Sequence, residues 1–261
     1  MEKINRFLAK HCLVLNLIAC VLIMVLYCIT VEEMGILAFG LLLLASYYIP
    51  VWMYRRSDAL LKKPAQILDN TCDPYPYLEE LQRQRTYSGA WTHKYNRMML
   101  EAGALCIVGR PVEAYRLLSP LQERLMRSRF MHLQLVYCGS MVSVCRALER
   151  GHEVEVWHAK YMERFYKVKN KRMKARIEAI QPMYMARYHT FRREHTQAMT
   201  ILQQIYPKKL YDQVAVAMLC AQNYLPMGET DKAKEALRFV AEKGNRLHIA
   251  EIARKMLEEM D

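Results

Sequence analysis

Two stretches near the N-terminus show no polar alternation at all. From Cys12 to Val31 the chain reads CLVLNLIACVLIMVLYCITV, and from Gly35 to Met53 it reads GILAFGLLLLASYYIPVWM, both without a charged side chain. A helix rises ~1.5 Å per residue, so runs of this length match the ~30 Å hydrocarbon core of a bilayer. The pattern predicts two transmembrane helices, 12–31 and 35–53, joined by a tight hairpin. Pro50 falls near the last turn of the second, where a helix can end. Glu32 and Glu33 mark the hairpin tip, since a charge costs roughly 2.5–3.5 kcal/mol at the bilayer centre. Lys3, Arg6 and Lys10 precede the pair, and Arg55, Arg56, Lys62 and Lys63 follow it. Basic flanks stay on the cytoplasmic side, so a multi-pass protein of the cell (inner) membrane with both termini cytoplasmic is expected.

The pattern changes after residue 54. Ser57 to Asn70 predicts a short juxtamembrane helix interrupted by Pro64, and the two prolines of Asp73-Pro74-Tyr75-Pro76-Tyr77 predict an extended linker. The expected organisation is a membrane anchor over 1–54, a juxtamembrane helix and linker over 55–76, and a helical domain over 77–261. Within that domain apolar residues recur at i, i+3, i+4 and i+7, as in Ala114, Leu117, Leu118, Leu121 and Leu125, or Ala233, Ala236, Leu237, Val240 and Ala241. Glycine and proline number only nine each, which suits an all-α chain with short turns.

The helices align with one another. Ala102, Leu105, Gly109, Ala114, Leu118 and Leu121 match Ala221, Tyr224, Gly228, Ala233, Leu237 and Val240 at identical spacing. Two weaker copies fall between. Gly151 lies 42 residues after Gly109, with Val156 in the place of Ala114, and Arg193 and Ala198 follow 42 further on, preceded by Ala186 and His189. This spacing resembles the tetratricopeptide repeat, a helix hairpin with small residues where its helices cross and a glycine at its turn. The resemblance implies an α-solenoid of about four hairpins with Leu247 to Met260 as capping helix, and a protein or peptide as partner. No tryptophan occupies the first consensus position, and an interval of 42 exceeds the usual ~34 residues. An irregular helical array without true repeats is the other reading of the pattern.

Charge and chemistry change this picture in one place. The formal net charge is +12, none of it from the first 53 residues, where three bases balance three acids. Lys160, Arg164, Lys167, Lys169, Lys171, Arg172, Lys174, Arg176, Arg187, Arg192 and Arg193 are opposed in their stretch only by Glu163 and Glu178. Beside an anionic inner leaflet each such base contributes ~1 kcal/mol of attraction. The stretch is therefore a candidate contact for lipid headgroups or an acidic protein, or simply a solvated face. Nucleic acid is the lesser expectation, because no recognition motif accompanies the charge. Gly-x-Ser-x-Gly, His-Glu-x-x-His and glycine-rich phosphate loops are all missing, so no enzyme and no cofactor are expected. An enzyme or metal site hidden in the helical domain is the alternative. Eight cysteines without a Cys-x-x-Cys, in a domain facing a reducing compartment, point away from disulfides, and Cys138 and Cys145 read as buried structural thiols.

Overall fold

The computed structural model describes residues 11–29, 59–85 and 91–260, with Phe7, Gly40 and Leu44 besides. All its regular elements are helices: α1 (Cys12–Ile29), α2 (59–71), α3 (Tyr75–Gln84), α4 (Trp91–Ile107), α5 (Pro111–Leu118), α6 (Gln122–Met126), α7 (Met131–Ala147), α8 (Gly151–Tyr166), α9 (Lys171–Phe191), α10 (His195–Leu202), α11 (Leu210–Tyr224), α12 (Thr230–Lys243) and α13 (His248–Glu258), with a 3-10 turn over Ser119–Leu121. Among the described residues no helix is long and apolar enough to cross a membrane. α1 has 18 uncharged residues, ~27 Å of rise against a ~30 Å core. The tip Glu32-Glu33, the aromatic end of the second run and all of that run but Gly40 and Leu44 lie outside the described residues.

From α4 onward the helices pair into four hairpins, α4/α5, α7/α8, α9/α10 and α11/α12. Their turns are one structure repeated. Each first helix ends in a left-handed residue, at Gly109 (φ 76°), Glu149 (φ 56°), Arg193 (φ 61°) and Gly228 (φ 79°). The amide of the next residue donates back five positions, Arg110 to Leu105, Arg150 to Cys145, Glu194 to His189 and Glu229 to Tyr224, at 2.8–3.0 Å. That pair of features is the Schellman ending, which satisfies carbonyls a helix terminus would otherwise leave orphaned. The carbonyls of the same four residues then accept from Ala114, Val154, Ala198 and Ala233, opening the second helix.

This geometry corrects the second copy. Its turn residue is Glu149, and Gly151 is the first residue of α8. The counterpart of Ala114 is therefore Val154, fully buried, whereas Val156 is 37% exposed. The spacings become 40, 44 and 35 (109 to 149, 149 to 193, 193 to 228). The other copies stand where the pattern put them: Ala102, Ala114, Ala186, Ala198, Ala221 and Ala233 all have no exposed surface. At these positions a methyl group is what allows the helices of a hairpin to touch.

The segment expected to be a juxtamembrane helix and linker is packed into the body. α2 runs through Pro64 without a break, and its Leu68, together with Cys72 just beyond its end, joins one core with Val214 and Met218 of α11, Leu237 and Val240 of α12, Leu247, and Ala253 of α13. Lys209 pairs with Asp69 at 2.8 Å, Asn245 Nδ2 donates to the Thr71 carbonyl at 2.8 Å, and the Arg246 guanidinium sits 4.0 Å over the Tyr75 ring. Residues 72–74 are thus a turn inside the packed body, and α3 begins at Tyr75, with Pro76 in its first turn, where a missing amide is harmless. The first hairpin also meets the last helix. A Cβ placed on Gly109 would lie 2.6 Å from His248 Cγ.

Candidate functional site: an arginine-lined cavity and a divided basic surface

Where the array closes on itself it forms an open-mouthed cavity of about 480 Å³. The first helix of every hairpin lines it: Gly103 and Cys106 from α4, Ser143 and Arg146 from α7, Arg187 from α9, and Tyr211, Met218 and Gln222 from α11. His248, Ile249 and Ile252 of α13 complete the wall. The lining mixes apolar side chains (Ile107, Met218, Leu219, Ile249, Ile252) with polar ones (Ser143, Arg146, Arg187, Tyr211, Gln222), so it suits an amphipathic occupant.

Two guanidiniums are among the polar groups of the lining. Arg146 is partly buried, and its pKa falls from the usual 12.5 to about 10, first because burial disfavours the charge and second because Arg187 lies nearby. Arg187 is within hydrogen-bonding reach of Tyr211, whose phenol is itself pushed up by burial. The Cys106 thiol, also in the lining, is raised to about 11 by burial and stays protonated at neutral pH.

The eleven bases of the stretch do not form one face. Arg187 lines the cavity, and Arg193 is a left-handed turn residue. Arg192 pairs with Glu155 and Glu194 at 3.3 and 2.9 Å. Lys160 covers the Trp157 ring at 4.3 Å, and Arg164 donates to Gln134 Oε1 at 3.0 Å. What remains is the connection from α8 to α9, where Lys167, Lys169, Lys171, Arg172, Lys174 and Arg176 are exposed beside Tyr166 (76%) and Ile180 (63%). Glu163 and Glu178 pair with Lys167 and Lys174 at 2.6 and 3.9 Å.

The residues with latent reactivity are engaged in packing. Cys138 and Cys145 have no exposed surface, and burial lifts their thiols to about 11 and about 12. His189 Nδ1 is 2.5 Å from Glu194, and His195 Nδ1 is 2.9 Å from Asn223 Oδ1, whose amide also donates to Thr190. Among the described residues no three His, Cys, Asp or Glu converge as metal ligands. Arg146 and Tyr211 are the site residues that sequence reasoning missed. Arg146 is a lone cation in the last turn of α7, where it reads as an ordinary partner for the helix dipole.

These features define an all-α array of helix hairpins closed by a terminal helix. The chain matches no protein-family model, no curated protein and no solved structure.

Proposed function

We propose that this chain is a membrane-tethered interaction scaffold: a two-span anchor (12–31 and 35–53), both termini cytoplasmic, carrying a tetratricopeptide-like array that captures a protein or peptide on its concave side. The observation that carries this reading is the convergence of all four first helices on one cavity wall, the arrangement by which helical repeats present a ligand surface. The anchor draws support from α1. Val14, Leu17, Ile18, Val21, Leu22, Met24 and Val25 are each 48–66% exposed, an apolar expanse that a surface facing water does not sustain but lipid covers. Leu44, in the second run, is 54% exposed. The basic connection from α8 to α9, with Tyr166 and Ile180 bared beside it, is suited to anionic headgroups at the same membrane.

Site-specific photo-crosslinking in the full chain in its membrane tests the capture. A crosslinker at Met218 or Gln222, on the cavity wall, is expected to trap a partner, and one at exposed Arg127 is expected not to. Equal trapping at both places would refute the concave-side reading.

A further inference from the structure

We propose that the cavity binds an oxyanion between Arg146 and Arg187, on a ligand whose remaining part is apolar. This deepens the reading of the cavity as the capture surface and rests on it. Several other arginines hold carboxylates: Arg85 with buried Glu101, Arg110 with Glu113, Arg150 with Glu153, and Arg246 with Asp73. Arg146 and Arg187 are different. The charged and ionisable groups acting on Arg146 are Arg187, Cys106 and Tyr211, none of them a carboxylate, and Arg187 has no ion pair among the described residues. Glu149 is the one carboxylate in the wall, and it stands exposed on the turn, paired with neither.

Two like charges facing one partly desolvated cavity are unfavourable unless an anion joins them. A carboxylate or phosphate matches both forks, since each guanidinium offers parallel N–H donors to paired oxygens. The Gln222 amide, also in the lining, can donate to further lone pairs, and Ile107, Met218, Leu219, Ile249 and Ile252 supply apolar surface for the rest of the ligand. At about 480 Å³ the space falls within the ~300–1,000 Å³ typical of small-ligand pockets. The oxyanion therefore belongs either to a free small acid or to the terminal carboxylate of a captured peptide.

Calorimetric titration of the full chain in detergent micelles tests this with benzoate, phenyl phosphate and neutral benzamide, and separately with a short leucine-rich peptide bearing a free or an amidated C-terminus. Benzoate or phenyl phosphate is expected to bind, and benzamide is expected not to. Arg146→Gln and Arg187→Gln are each expected to weaken binding about tenfold or more. Exposed Arg127→Gln is expected to leave it unchanged. A preference for the free over the amidated peptide assigns the oxyanion to a chain end, and anion binding without that preference assigns it to a small acid. The ligand-free Arg146→Gln chain should melt at or above the parent temperature, because it loses an uncompensated charge. Equal binding of benzamide and benzoate overturns the proposal, as does unchanged binding by both arginine variants, or an Arg146→Gln chain that fails to fold. If partner crosslinking from Met218 persists in Arg146→Gln and Arg187→Gln while no anion binds, the oxyanion falls and the scaffold stands. If anions bind and no partner is trapped, the reverse holds.

Discussion

Gly109 and Gly228 form a natural matched pair. Both are left-handed turn residues, φ 76° and 79°, at the same position of the first and last hairpins. A Cβ on Gly228 meets nothing within 4 Å, so Gly228→Ala bears only the backbone penalty, ~1–2 kcal/mol for an L-residue in this region, offset by ~0.4–1 kcal/mol through the stiffer unfolded chain. On Gly109 the same methyl would stand 2.6, 2.7 and 2.9 Å from His248 Cγ, Nδ1 and Cδ2. The ring has to turn out of its rotamer or α13 has to shift, which adds ~1–3 kcal/mol of overpacking. Gly109→Ala should therefore cost ~1–3 kcal/mol more than Gly228→Ala. His248→Ala by itself should change stability by less than ~0.5 kcal/mol, since the side chain is 43% exposed and touches Glu251 only at 3.3 Å. Combined with Gly109→Ala it should erase the excess. Urea unfolding of the full chain in micelles, followed by circular dichroism, measures all four. Equal losses for the two glycines, or a Gly109→Ala/His248→Ala chain with no coupling, would show that the first hairpin does not meet the terminal helix.

Four further outcomes are expected. Val154→Ala should cost ~1–3 kcal/mol and Val156→Ala less than ~0.5 kcal/mol in the same unfolding assay, because the first alone sits at the helix crossing. Arg193→Gly should gain roughly 0.5–1 kcal/mol by relieving a left-handed L-residue, read as a raised urea midpoint. His158 stacks on Tyr188 at 3.6 Å, and burial lowers its pKa, with Glu155 opposing and His189 and Arg192 reinforcing. The unfolded chain then binds the proton more readily, so stability should fall as pH drops through ~6.5; His132, also lowered by burial, acts in the same direction, and His158→Gln should flatten the midpoint-against-pH curve without levelling it. Changing Lys167, Lys169, Lys171, Arg172 and Lys174 to Glu should abolish salt-sensitive recruitment of anionic vesicles to the detergent-purified chain while leaving its circular dichroism unchanged.

The hairpins were legible because their chemistry is local. Alanine at a crossing and a glycine at a turn are demanded by distances of one side chain, so Ala102, Gly109 and Ala114 reappear as Ala221, Gly228 and Ala233. The middle turns were harder, since Glu149 and Arg193 show that the left-handed position is set by the six-residue Schellman bond and not by residue type alone. A glycine two residues late, Gly151, therefore attracted the register that burial assigns to Val142, Cys145 and Val154. The 44-residue spacing has its source in α9, whose 21 residues outrun the other first helices and carry the basic connection outward, with only Ile177 buried between 171 and 180. The cavity was not legible at all. Arg146 acquires its meaning from Arg187, Tyr211 and His248, residues that periodicity places on separate helices and only closure of the array brings together.

That closure has a consequence for the order in which the chain is made. α2 leaves the ribosome early, directly behind the apolar runs, yet Thr71 finds its partner Asn245 only 174 residues later. At ~5–20 residues per second that is roughly 10–35 s of synthesis during which Leu68 and Cys72 have no core to enter. The two middle hairpins form meanwhile from neighbours in sequence. The last hairpin and α13 then act as the latch, so a chain truncated before Lys209 would keep its earlier hairpins and leave its opening segment undocked.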